Sequence, residues 1–187
     1  MDKKIIKKRL QSVLKPSRYE HTLGVEYTAA CLAMRYGYDI EKAEMAGLLH
    51  DCAKYLSDKK KLSMCKRKKL KISSAEKKNP GLLHAKLGAV LAKEKYKIKD
   101  PEILSAITWH TTGKPDMTLL EKIIFVADYI EPNRNQAPRL DEIRRLAFMG
   151  LDECLVMILK QTLEYLEEKG AQMDPMTYET YQYYTKK

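Results

Sequence analysis

Six side chains that can ligate metal ions are scattered along this chain: His21, His50, Asp51, His84, His110 and Asp128. The four histidines are all that the 187 residues contain. Imidazole and carboxylate donors suit zinc, iron, manganese and similar ions. Asp51 directly follows His50, and neighbours on a helix point about 100° apart, so the pair can grip ions lying beside one helix. A carboxylate has two oxygens and can bridge two ions, whereas a neutral imidazole offers one lone pair. Asp128 interrupts the apolar run Ile123-Ile124-Phe125-Val126-Ala127-Asp128-Tyr129-Ile130. A buried carboxylate there needs a compensating metal, arginine or helix N-terminus, unless the position is exposed.

Each residue also has a plain structural explanation. His50-Asp51 can be a surface pair at a helix end. His21, one turn into its helix, can be a core or boundary histidine. His84 has Gly81 and Gly88 on its own helix face, which leaves room for a bound group or simply for tight helix packing. His110 can interact with the dipole at the end of its helix. What links the six is their order, His…His-Asp…His…His…Asp, with each member but the adjacent pair on a different predicted helix.

The elements that would position them are helices throughout. The patterning predicts an all-α, single-domain bundle over 1–187, with the site core at about 18–148 and a helical C-terminal extension. Residues 2–14 form a basic amphipathic segment that stops before Pro16. Ser17 with Glu20 reads as a capping box for a helix reaching Tyr36 and Gly37. Asp39 caps the next helix, on which Ala43, Gly47, His50 and Lys54 share one face. Ser57 and Asp58 open a basic helix ending near Lys71, and residues 73–80 read as a loop. Helices follow at about 81–96, 101–111, 117–131 and 139–169, the last with a break near Gly150, and the tyrosine-rich 174–185 is helical too. No alternating pattern with paired turns predicts a sheet.

Composition narrows the setting. Apolar residues make up 44%, too many for a disordered chain. No run approaches the roughly 20 apolar residues of a membrane span, and the charged N-terminus lacks a signal-peptide core, so a cytoplasmic protein without a membrane partner is expected. Four widely spaced cysteines without a Cys-x-x-Cys pair argue against a disulfide framework and against a thiolate zinc site. The excess of 35 basic over 25 acidic residues, net +10, favours an anionic partner. The lysine runs at 59–61 and 66–71 keep nucleic acid among the candidates, alongside a merely solvated face.

The order of the six residues and their surroundings resemble the HD-domain superfamily of metal-dependent phosphohydrolases. Arg18-Tyr19-Glu20-His21-Thr22-Leu23-Gly24-Val25, Ala46-Gly47-Leu48-Leu49-His50-Asp51-Cys52-Ala53-Lys54 and Leu83-His84-Ala85-Lys86-Leu87-Gly88-Ala89 carry the likeness. His110-Thr111-Thr112-Gly113 and Ala127-Asp128-Tyr129-Ile130-Glu131-Pro132-Asn133-Arg134 narrow it to the bacterial YqeK-type family. The resemblance implies symmetrical hydrolysis of diadenosine tetraphosphate to two ADP at a two-metal centre. It places one metal on His21, His50, Asp51 and Asp128 and the second on His84 and His110, with Asp51 bridging. Iron is the implied metal, with manganese or another divalent ion as alternatives. The chain departs from relatives at Lys114, at Asn135-Gln136-Ala137-Pro138 and at Tyr181-Gln182, none of which is a ligand.

The chemistry expected of such a centre is in-line attack on phosphorus by a hydroxide bridging two cations that lower the pKa of water. Asp51 would ligate and orient it. Lys54 and Arg134 are the candidate phosphate cations, Arg134 through a bidentate contact; surface ion pairing is the alternative for both. Thr111, Thr112, Asn133 and, ranked lower, Lys86 complete the candidate substrate contacts. Two other functions stay open: an HD phosphohydrolase of another nucleotide, mononucleotide or guanosine alarmone, and a basic nucleic-acid or ribosome-binding module. Exposed helical faces leave a homodimer open.

Overall fold

The computed structural model describes residues 2–171 and 173–186. Among them there are eleven α-helices and no strand. Helix α1 (Lys3–Val13) starts at Asp2, whose side chain accepts from the Lys4 amide, and buries Ile6 and Leu10. Helix α2 (Pro16–Tyr36) departs from expectation at its start. Lys15 takes the N-cap position without a side-chain bond, and Pro16 occupies the first turn, where its missing N–H costs nothing. Ser17 therefore lies inside the helix. Its far end is as predicted: Gly37 adopts φ 67°, a left-handed turn that glycine takes without strain.

Helix α3 (Ile40–Leu49) is capped by Asp39 as expected, but it stops at Leu49. Residues 50–56 run as successive turns. His50 and Lys54 thus do not share a helix face, because apolar periodicity marks a face and not where the hydrogen-bond ladder ends. Helix α4 (Asp58–Arg67) is capped by Ser57 and ends short of Lys71, with Lys69 turning the chain at φ 54°. The segment read as a loop contains helix α5 (Ser74–Lys78), started by a Ser73/Glu76 capping box. A 3-10 turn over Pro80–Leu83 then delivers the chain into α6 (His84–Glu94).

Helices α7 (Pro101–Trp109) and α8 (Leu119–Ile130) follow, each with a side-chain cap, Asp100 and Thr118. Gly150 separates α9 (Leu140–Ala147) from α10 (Leu151–Glu168), and α11 (Pro175–Thr185) closes the chain. The centre of the bundle is α8, almost wholly buried, with α2, α7 and α10 packed around it. One continuous cluster of buried apolar side chains runs from Ile6 in α1 to Tyr184 in α11. Cys52, Cys65 and Cys154 are buried in it as small apolar groups, while Cys31 is exposed. No helix among the described residues is long and apolar enough to cross a membrane.

Helices α2 and α3, which carry His21 and lead into His50, pack closely at Gly47. A Cβ on Gly47 would lie 3.0 Å from the Val25 carbonyl oxygen and 3.1 Å from Glu26 Cα. These are backbone atoms of α2 and cannot step aside. Gly47→Ala is therefore expected to cost about 1–3 kcal/mol of overpacking, read as a lower urea midpoint with an unchanged slope.

Candidate metal centre

Three of the four histidines stand at helix ends. His50 caps the C-terminus of α3, His110 that of α7, and His84 opens α6. In each, Nδ1 donates to the carbonyl three residues earlier: His50 to Gly47 at 2.7 Å, His84 to Gly81 at 2.6 Å, His110 to Ile107 at 2.7 Å. A carbonyl only accepts, so the proton sits on Nδ1 and the Nε2 lone pair faces inward. His21, inside α2, reaches the same centre with its Nδ1 on Glu131 Oε1 at 3.0 Å. All four Nε2 atoms converge: His21 and His50 at 3.3 Å, His84 and His110 at 3.0 Å.

Asp51 lies between these two pairs and is 2% exposed. Its Oδ2 faces His50 Nε2 at 3.6 Å and His21 Nε2 at 3.9 Å. Its Oδ1 faces His84 Nε2 at 3.1 Å and His110 Nε2 at 3.7 Å. Asp128, in α8, adds Oδ1 at 3.1 Å from His21 Nε2 and 3.9 Å from His50 Nε2. Three overlapping triads, His21–His50–Asp51, His50–His110–Asp128 and Asp51–His84–His110, each keep their donor atoms within 4.8 Å of one another.

The charges say what is missing from a purely protein account. Burial pushes His50 down to about 4 and lowers His84, so both are neutral near pH 7. The His84 Nε2, which faces His110, then carries a lone pair, as does Asp51 Oδ1, which is buried without a hydrogen-bond partner. Acceptors aimed at acceptors in a buried site need a cation among them. Burial works against ionising Asp51 and Asp128, yet surrounding imidazoles, and Arg134 beside Asp128, hold both well below the usual carboxylate range. Burial also works against a charged His21, but Asp128 and Glu131 outweigh it and raise its pKa. The donor set is one that could hold metal ions around Asp51.

Basic side chains ring this cluster. Arg18 Nη1 lies 2.9 Å from Asp51 Oδ2. Lys54 Nζ lies 3.2 Å from His84 Nε2 and 3.6 Å from Asp51 Oδ1, so the turn after α3 delivers it where a continuing helix was expected to. Arg134 donates to Asp128 Oδ1 at 3.0 Å and to the Asp128 carbonyl at 2.9 Å. The arginine partner considered for Asp128 therefore exists beside the histidines. A cleft of about 510 Å³ opens on this flank, lined by Arg18, Asn133, Arg134, Asn135 and Gln136.

The remaining candidates divide. Thr111 Oγ1 is 3.2 Å from His110 Nε2 and 3.4 Å from His84 Nε2, at the centre itself. Thr112 bonds instead within its own turn, and its carbonyl accepts from Thr180 of α11. Lys86 is held by Glu76 at 2.8 Å and the Lys71 carbonyl at 3.1 Å. With Thr111, Thr112 and Trp109 it lines a smaller pocket of about 140 Å³.

Comparison with known proteins agrees with this geometry. Residues 18–133 match the family model for the HD domain. The chain belongs to the HD-domain family. Its HD relatives include the protein named symmetrical bis(5'-nucleosyl)-tetraphosphatase of Bacillus subtilis (strain 168), 44% identical over 88% of this chain and 87% of that one. The protein of the same name from Staphylococcus aureus (strain NCTC 8325 / PS 47) is 37% identical over 95% of this chain and 92% of that one. A crystal structure of a predicted HD superfamily hydrolase involved in NAD metabolism from Clostridium acetobutylicum superposes with a TM-score of 0.96 at 40% identity, covering 100% of this chain and 98% of that one.

Three residues of this HD site were not singled out from sequence: Arg18, Glu131 and Arg144. Arg18 precedes His21 by three residues and Glu131 follows Asp128 by three, the spacing that puts side chains on one helix face. That spacing was the available signal. Arg144 had none. From α9 it donates to the carbonyls of Ile130, Glu131 and Arg134, fixing the segment that carries Glu131, Asn133 and Arg134.

Proposed function

We propose that this chain is a metal-dependent hydrolase that splits diadenosine tetraphosphate symmetrically into two ADP. The observation that carries the reading is Asp51, with one oxygen turned to each histidine pair and two basic side chains, Arg18 and Lys54, beside it, while Arg134 pairs with the neighbouring Asp128. The names and identities of the HD relatives support the substrate. Two bound cations would lower the pKa of water and offset phosphate charge. Iron fits this imidazole and carboxylate donor set, and manganese is the alternative that metal analysis separates.

The chain's own residues do the rest. His21, His50, Asp51 and Asp128 would hold one ion, and His84 and His110 would hold the second together with Asp51. Symmetrical products require water to attack one of the two central phosphorus atoms. The bond to the oxygen joining the two central phosphates breaks, and ADP leaves with that oxygen. The substrate's dense negative charge needs cations on both sides of the reacting phosphorus. Lys54 supplies one on the His84 flank. Arg18 and Arg134 supply two on the His21 flank by exchanging a carboxylate partner for a phosphate. Thr111 Oγ1 is in reach to donate to a phosphate oxygen. Asn133 lines the same cleft as Arg134 and contacts the nucleotide there. Lys86 and Thr112 act from the second, smaller pocket. An enzyme acting on a free dinucleotide would work in the cytoplasm.

Incubation with diadenosine tetraphosphate and manganese or iron, followed by product separation, tests the assignment. ADP as the sole nucleotide product supports it. An untouched dinucleotide beside turnover of mononucleotides would overturn it. Arg18→Ala is expected to lower kcat/KM about 10–100-fold, in the range for a lost charge-assisted hydrogen bond of about 1.5–3 kcal/mol, with metal content unchanged.

A further inference from the structure

The two halves of the centre share ligand types but are held in place differently. His50, His84 and His110 each donate Nδ1–H to a neutral backbone carbonyl. His21 alone donates to a carboxylate, Glu131 Oε1. Glu131 is 1% exposed, and its Oε2 accepts from the Asn133 amide at 2.8 Å, so both oxygens are engaged and the side chain cannot turn freely. Room for it comes from Gly24 of α2. A Cβ there would overlap Glu131 Oε2 and lie 3.1 Å from Glu131 Cδ.

A carboxylate acceptor fixes the imidazole tautomer with Nε2 free for a metal, and its charge makes that nitrogen a stronger donor than a carbonyl partner does. The His21 half also contains Asp128. The arginines facing it, Arg18 and Arg134, have side chains 37% and 40% exposed, so solvent screens them. On the other half the nearest non-ligand charge is also positive and as exposed, Lys54 Nζ at 3.2 Å from His84 Nε2 with its side chain 36% exposed, so the added carboxylates and not the flanking cations distinguish the halves.

We propose that Glu131 is a positioning residue that makes the His21 half of the centre the tighter of two metal sites, filled first and emptied last. The inference rests on the two-metal reading above. The stronger donor set wins the first ion. The second ion must enter beside Lys54, and its half empties first on dilution.

The test is a calorimetric titration of metal-free full-length protein with manganese(II), with bound metal counted by elemental analysis after gel filtration. Wild type is expected to bind two ions in two steps of unequal affinity. His84→Ala removes the weaker step. Glu131→Gln weakens the tighter step by about 10–100-fold, the usual effect of losing such a partner, and leaves the weaker step in place. Gly24→Ala does the same by displacing the carboxylate while Glu131 remains. The thermal unfolding midpoint of metal-free Glu131→Gln falls by no more than the loss of one buried acceptor, which the Gln N–H₂ cannot replace, accounts for. The loss of affinity is confined to the tighter step, which a purely structural role for the residue would not give. A tight step that survives both Glu131→Gln and Gly24→Ala overturns the inference and leaves the two-metal reading standing. So does weakening of the step that His84→Ala removes. Wild-type protein that binds no manganese overturns both.

Discussion

Asp51→Asn is expected to lower kcat by about a thousand-fold or more, a loss of about 4 kcal/mol at about 1.4 kcal/mol per decade, while the protein stays helical. The expectation follows from geometry rather than from charge alone. One oxygen of Asp51 faces His21 and His50, and the other faces His84 and His110. Asp128 also lies near one histidine of each pair, His50 and His110, but through one triad and not through two separate oxygens. Asparagine keeps the shape but turns one oxygen into an N–H₂ that cannot ligate. One half of the centre then loses a ligand, and the two halves lose their shared charge. The measurements are steady-state hydrolysis, bound-metal content and far-UV circular dichroism. A folded Asp51→Asn protein with near wild-type kcat would sink the two-metal mechanism.

Removing metal is the second large effect. Chelator treatment is expected to abolish hydrolysis and to lower Tm by roughly 5–16 °C. Binding to the folded state alone stabilises by about 2.7 kcal/mol at 100 times Kd and about 4.1 at 1,000 times. For a chain of this length each kcal/mol moves Tm by about 2–4 °C. The sign is secure because the ligands come from positions 21 to 128 of the sequence, and the unfolded chain cannot gather them. In the folded protein a cation would also relieve the opposed lone pairs of His84 Nε2 and Asp51 Oδ1. Differential scanning fluorimetry with and without chelator, then with metal restored, reads the effect. An unchanged Tm in all three conditions would mean that the cluster holds no ion.

The convergence of six side chains that could hold metal was legible in the sequence because types and order carried it: His21, His50, Asp51, His84, His110 and Asp128 do meet. The all-helical class was legible too, from periodicity and from caps at Asp39 and Ser57. Helix ends were less so. The face through Ala43, Gly47, His50 and Lys54 continued past Leu49 on paper, yet the hydrogen-bond ladder breaks there, and a turn carries Lys54 to His84. The Ser73/Glu76 capping box went unread because the following helix is too short to show a period. Ser17 looked like a cap, but the helix starts at Pro16, two residues sooner than that cap would begin it. Arg18 and Glu131 escaped notice for another reason: a residue that serves a ligand resembles any other charged residue until its partner's position is known. Arg144 acts through main-chain carbonyls far from it in sequence, which no pattern of side chains records.

The three histidines fixed by backbone carbonyls have a consequence for how this site endures change. A carbonyl oxygen belongs to the main chain, so no codon change at Gly47, Gly81 or Ile107 can delete it. The aim of His50, His84 and His110 is thereby sheltered from mutational drift so long as the local turns persist. His21 has no such shelter. Its acceptor is an ordinary side chain, dependent on a glycine opposite. Among descendants of this sequence, erosion of the site should begin at Glu131 and Gly24, before any ligand is lost.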